Sequence, residues 1–178
     1  MAAMTIPIGR TATSTDDTLA DLHRAHYRSL VRLAYLLLGD QGRSEEVVQD
    51  AFVKLQLRWG GLRQVDKAPA YLRSAVLNQA RSALRHRKVV DRHDARRTVE
   101  PASLSPEAAA LAGVDHERVV AALRLLPDRQ REALALRFYL DLSEAEMAAA
   151  MKVSSGSVKT HVHRGLAALA RLLEEERA

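Results

Sequence analysis

SEAEMAAAMKVSSGSVKTHVHR, residues 143–164, decides how this chain is read. Ser143 followed three residues later by Glu146 is a capping box, in which the hydroxyl and the carboxylate each satisfy a backbone N–H at a helix start. SEAEMAAAM is then a short helix and KVSS a tight turn. The longer helix that follows, GSVKTHVHRGLAALARLLEE, puts Val158, Val162, Leu166, Leu169 and Leu173 on one apolar side. Short helix, tight turn and long helix together are the layout of a helix-turn-helix, whose second helix lies in a DNA major groove. The groove admits one α-helix, and the first turns of that helix carry the base-edge contacts. Short polar residues and cations are needed there, away from the packing stripe, and Ser157, Lys159, Thr160, His163 and Arg164 meet that need. Lys159 and Arg164 can donate to guanine or to phosphate, and the N-terminal amides also favour a phosphate. Any amphipathic helix has a solvated face, but not one preceded by a capping box and a turn of this length. His161 and His163 are two apart and cannot share a helix face, so no metal site is expected of them.

Composition bounds the rest. Apolar residues make up 47% of 178, aromatics only 4%, and the formal charge is +5. Ala, Leu, Arg and Glu dominate and β-branched runs are few, which predicts an all-α fold. A basic balance suits a polyanion partner without proving one. The chain has no cysteine, which excludes disulfides and thiolate metal sites. His23 and His26 lack the carboxylate company that a zinc site needs. No apolar run reaches the roughly 18 residues of a membrane span, so no membrane insertion is expected. Met1–Thr18 carries Arg10 but no apolar stretch, which reads as a disordered head of a cytoplasmic protein rather than a signal peptide. A Gly-rich phosphate loop, a nucleophile elbow and paired catalytic carboxylates are all missing, so neither an enzyme nor a cofactor is expected.

Two small helical domains, residues 19–88 and 106–176, flank VVDRHDARRTVEPASLS at 89–105, a polar, Pro- and Ser-bearing stretch that reads as a flexible linker. In the first domain Leu19, Leu22, His26, Leu30, Leu33 and Leu37 recur at helical spacing, and Gly39 is placed to end that helix. Ser44 is the expected N-cap of the next helix, with Glu45 and Glu46 in its first turn. Its inward face is Val47, Val48, Ala51, Phe52 and Leu55, and Trp59-Gly60-Gly61 ends it. Glu46, Gln49 and Asp50 lie together at i, i+3 and i+4, beside that stripe and outside it. Pro69 suits the first turn of a third helix. Tyr71, Leu72, Ala75, Val76, Ala80, Ala83 and Leu84 face its core side, and Arg73, Arg81, Arg85, Arg87 and Lys88 make its other face unusually basic.

LPDRQREALALRFYLDLSEAEMAAAMKVSSGSVKTHVHRGLAAL resembles the −35-reading domain of bacterial sigma factors. The resemblance is carried by Leu126-Pro127, Arg131-Glu132, Leu142-Ser143-x-x-Glu146, Val158-Lys159 and Arg164-Gly165. Helix-turn-helix activators share that half. The upstream half discriminates: SEEVVQDAFVKLQLRW resembles the helix with which sigma factors grip the clamp helices of RNA polymerase, and PAYLRSAVLNQARSALRHRK resembles their −10-melting helix. Order, spacing and two-domain layout resemble the extracytoplasmic-function (group IV) sigma factors, in particular the SigE-like actinobacterial subgroup. The resemblance implies an alternative sigma factor that binds core RNA polymerase and directs it to promoter DNA. Glu46, Gln49 and Asp50 would then meet the clamp helices of the largest polymerase subunit. Leu62–Lys67 would form the pocket for a flipped base, Asn78 would contact that base, and Arg73, Arg81 and Arg85 would hold phosphates. Only Tyr71 offers an aromatic face there, which implies weak melting and stringent promoter choice. An anti-sigma factor wedged between the domains is the regulator such proteins imply. The competing reading is a stand-alone helix-turn-helix regulator, which leaves Glu46, Gln49 and Asp50 without a purpose.

Overall fold

A computed structural model describes residues 15–58, 65–93 and 114–175, and among these every regular element is helical. The order is α1 (Thr15–Leu38), α2 (Gln41–Arg58), a 3-10 turn (Val65–Lys67), α3 (Ala68–His93), α4 (Val114–Leu125), α5 (Asp128–Leu134) running on as a π-turn (Ala135–Tyr139), α6 (Glu144–Met151) and α7 (Ser155–Glu175). The expected all-α, two-domain architecture is present, with α1–α3 forming one domain and α4–α7 the other. α1 begins within the expected head, and α3 runs five residues into the expected linker, to His93. Trp59 to Gln64, the remainder of that linker and most of the head lie outside the described residues.

α1 ends where glycine permits it. Gly39 has φ +72°, the left-handed region that side chains resist, and its N–H donates to the Tyr35 carbonyl at 2.8 Å. A Cβ there would come within 2.9 Å of Arg124 Nε, whose guanidinium lies over the Tyr35 ring at 4.9 Å. Asp40, not Ser44, caps α2: its Oδ1 accepts the Arg43 N–H at 2.9 Å. The chain leaves Gly39 already aimed along α2, so the first side chain able to cap takes the role. Ser44 is buried one turn inside, its hydroxyl donating back to the Asp40 carbonyl. Pro69 stands in the first turn of α3 as expected.

The two domains share one core. Leu33, Leu37, Val48, Leu55, Leu72, Val76 and Leu77 from α1–α3 form a continuous apolar cluster with Leu136, Met147, Met151 and Val158 from α5–α7. A second, smaller cluster of Leu123, Leu126 and Leu134 lies under α7. Removing one such side chain, as in Leu136→Ala, costs about 2–5 kcal/mol in a core packed this way. The π-turn explains how Leu136 and Leu142 both reach it. Widening the helix and then breaking it at Asp141, φ +48°, lets two side chains six apart point the same way. Arg131 is buried at the seam between domains. Its Nη1 donates to the Leu37 carbonyl in the last turn of α1, and its Nη2 to the Leu126 carbonyl just past α4, 3.2 Å away. One guanidinium thus caps the carboxyl ends of two helices, one from each domain. Burial lowers its pKa from the ordinary guanidinium value, with Asp128 working against that shift.

Candidate promoter and polymerase interfaces

The helix-turn-helix forms as its sequence predicts. Ser143 Oγ accepts the Glu146 N–H at 3.3 Å while Glu146 Oε2 accepts the Ser143 N–H at 2.9 Å, so both halves of the capping box are made. Those bonds from Ser143 hold the Glu146 carboxyl below the usual carboxylate range, helped by nearby Arg73. The turn passes through Lys152 at φ 56°, and the Val153 N–H donates to the Ala148 carbonyl at 3.1 Å. Ser154 then starts α7, its Oγ accepting the Ser157 N–H at 3.1 Å.

On α7, Val158 and Gly165 are buried and Val162 is half-buried on the packing side. Gly165 matters because α7 crosses α5 closely: a Cβ there would meet Leu134 at 3.1 Å. Lys159, Thr160, His163 and Arg164 are exposed on the opposite side, at i, i+1, i+4 and i+5. Lys159 Nζ is 3.5 Å from Glu144 Oε2, an exposed pair that a ligand could displace. Thr160 Oγ1 donates to the Gly156 carbonyl at 3.0 Å. Ser157 is half-buried with its hydroxyl 2.9 Å from Ser154 Oγ, so it serves the helix start more than the outer face. Leu166, expected inward, is 42% exposed, because the close α5 crossing turns that side of the helix outward.

In the first domain Glu46, Gln49 and Asp50 are all exposed on one side of α2. Glu46 and Asp50 line a groove of about 450 Å³ between α2 and α3, opposite Gln79, Ser82 and His86. Expected core residue Phe52 is buried, close to the His23 and Tyr27 rings.

The basic face of α3 is where the sequence missed most. Arg85 is exposed, but Asn78 and Arg81 are half-buried and turned toward the second domain. Asn78 Oδ1 accepts from Arg81 Nη1 at 3.1 Å. Arg81 grips Glu132 with two donors, Nε on Oε2 at 3.0 Å and Nη2 on Oε1. Glu132 is 2% exposed and also accepts from Arg129 Nη1 at 3.3 Å. Arg81 Nη2 and Arg129 Nη1 further reach the Met151 carbonyl, 3.4 and 3.3 Å away. Arg73 Nη2 lies 3.8 Å from Glu146 Oε1, and Lys88 Nζ 2.6 Å from Asp128 Oδ2. A charged pair, Arg131-Glu132, directly before the apolar run Ala133–Leu136 was the available signal, since buried charges demand partners. It could not name which partners.

Residues 22–89 match the family Sigma-70 region 2, and residues 116–169 match Sigma-70, region 4. The chain is 32% identical over 152 residues to an RNA polymerase sigma-E factor of Streptomyces avermitilis, covering 85% of this chain and 81% of that protein. An RNA polymerase sigma-E factor of Streptomyces antibioticus is 30% identical over 159 residues, with 87% and 82% covered. Among solved structures, the sigma factor RpoE in complex with the anti-sigma factor NepR from Bartonella quintana superposes with a TM-score of 0.75 at 23% identity, over 87% of this chain and 96% of that one. CnrH in complex with the cytosolic domain of CnrY superposes at 0.66 with 25% identity, covering 88% of each.

Proposed function

The chain belongs to the sigma-70 family of RNA polymerase sigma factors, and from that premise we propose how its residues divide the work between polymerase and promoter. It is an alternative sigma factor of the extracytoplasmic-function kind: it binds core polymerase and directs promoter-specific initiation. The observation that carries this is the succession of two independent matches, region 2 then region 4, along a chain that aligns with most of the length of its relatives.

In the proposed division, Glu46, Gln49 and Asp50 dock on the clamp helices of the largest subunit, an acidic rim beside a groove that can take a partner's side chains. The α3 face, with Arg73, Asn78, Arg81 and Arg85, meets the −10 element. Arginines supply a salt-dependent attraction to phosphate, and an asparagine amide can pair with a base edge. The α7 face enters the −35 major groove through Lys159, Thr160, His163 and Arg164, with Ser157 stiffening the first turn. Bond-making is left to the polymerase, so the chain acts as an initiation factor and not as an enzyme. No helix among the described residues is long and apolar enough to cross a membrane, and a partner of polymerase works in the cytoplasm. The Bartonella sigma factor of similar fold is in complex with an anti-sigma factor, and an anti-sigma partner is proposed here as well. A stand-alone regulator would leave the region 2 match and the acids of α2 unexplained.

Run-off transcription with purified core polymerase tests the reading. The chain should co-purify with core and start transcripts from a −35/−10 promoter selected from a random library. Failure of both would reject it.

A further inference from the structure

Val53 and Leu57 are apolar, and the structure leaves them 52% and 81% exposed. With Glu46, Gln49 and Asp50 they recur three or four residues apart, so all five share the outer face of α2. The stripe opens on acids and closes on aliphatic side chains. Beside Val53 a pocket of about 310 Å³ lies between α1 and α2, lined by Leu19, Ala20, His23, Phe52, Val53 and Gln56. Packed rings stiffen it: His23 stacks on Tyr27 at 4.5 Å between centroids, and Phe52 meets His23 at 4.9 Å. Among the described residues no Asp, Glu, Lys or Arg lines it. Single exposed apolar side chains are ordinary, but a group of them beside a preformed pocket marks an interaction surface.

We infer that this pocket is a second docking point for core polymerase and takes one large apolar side chain from it. The inference rests on the proposed assignment of Glu46, Gln49 and Asp50 to the clamp. Position argues for the same partner. Asp50 to Val53 is less than one helical turn, so a body seated on the acids already overhangs the pocket. Chemistry argues against nucleic acid, whose phosphates seek cations that the pocket lacks. Symmetry argues against a second copy. Pairing this face with itself antiparallel would press Glu46 and Asp50 onto the aliphatic half of the other copy, burying carboxylates without partners. Parallel pairing would set like charges opposite each other. The two halves of the stripe then do different work. The acids steer the encounter from a distance and are screened by salt. The pocket acts at contact, where burial of an apolar anchor slows dissociation and salt matters little.

Surface plasmon resonance against immobilised core polymerase, over a range of salt concentrations, tests this. Ala20→Trp, at an exposed position on the rim, fills the pocket, and Val53→Ser removes its apolar edge. Each should raise the dissociation rate about tenfold at every salt concentration, with the slope of log affinity against log salt as in the parent. Asp50→Arg should instead flatten that slope. Circular dichroism should show all three variants folded, and Leu57→Ser, at the more exposed position, supplies the reading if Ala20→Trp does not fold. Unchanged dissociation in Ala20→Trp, Val53→Ser and Leu57→Ser, with Asp50→Arg still weakening the complex, would overturn the pocket and leave the acids on the clamp. Core binding indifferent to Asp50→Arg as well would overturn the assignment of α2 and the inference with it. Sedimentation of the free chain covers the remaining occupant: a dimer that Val53→Ser dissolves would give the pocket to a second copy and overturn its use by polymerase.

Discussion

Gly165→Ala sets two well-measured effects against each other on the reader helix. Replacing glycine by alanine within a helix is worth about 1 kcal/mol in its favour. Here the new methyl would arrive 3.1, 3.2 and 3.3 Å from three carbons of Leu134. Leu134 is 3% exposed and wedged beside Leu123 and Leu126, so it cannot swing aside. Overfilling such a site costs about 1–3 kcal/mol, which leaves a net loss of about 1 kcal/mol. For a protein of this size that is a fall in Tm of about 2–4 °C. Urea and thermal unfolding followed by circular dichroism read the change. Leu134→Ala alone should cost about 2–5 kcal/mol, and the double variant should cost less than the sum by about 1 kcal/mol, since the alanine methyl then enters vacated space. A Gly165→Ala protein more stable than the parent, or strictly additive losses, would refute the close α5–α7 crossing.

Asp50→Arg should weaken core polymerase binding while leaving the melting curve intact, because Asp50 is exposed and buries nothing; fluorescence anisotropy against purified core checks it, and unchanged affinity removes Asp50 from the interface. Arg164→Ala should cost about 1–3 kcal/mol of discrimination at one −35 base pair, and a uniform loss over all sequences in a competition assay would demote it to a phosphate contact. The capping box makes a pH prediction. Glu146 has its folded pKa lowered, so its contribution is fully present above the ordinary carboxylate pKa and is lost as pH falls through the lower folded value. Glu146→Gln should therefore flatten the acid side of the Tm–pH curve relative to the parent, and two parallel curves would count against it.

The local features were legible because their causes are local. Ser143 and Glu146 sit three apart and need only each other, so the capping box could be read directly, and with it the start of α6. Gly39 announced the end of α1 through a backbone requirement of its own. Ser44 misled because two capping residues, Asp40 and Ser44, lie four apart, and only the direction in which the chain leaves Gly39 chooses between them. The Arg81–Glu132 pair spans 51 residues, and no periodicity links positions so distant. A charged face on α3 therefore looked solvated when part of it is covered. The same holds for Leu166: its stripe was right for an isolated helix, and the crossing at Gly165 then decided which side is inside.

Arg131 gives the seam between the domains an uneven response to ionic strength. At the rim, the side chains of Lys88 and Asp128 are 61% and 33% exposed, and dissolved ions at physiological strength screen such a pair over a Debye length of about 8 Å. Arg131 stands where those ions do not reach, its charge spread between the carboxyl ends of α1 and α4. Added salt should loosen the edge first and leave the arginine anchoring the middle. A plot of opening against the logarithm of salt concentration should accordingly level off well short of full separation.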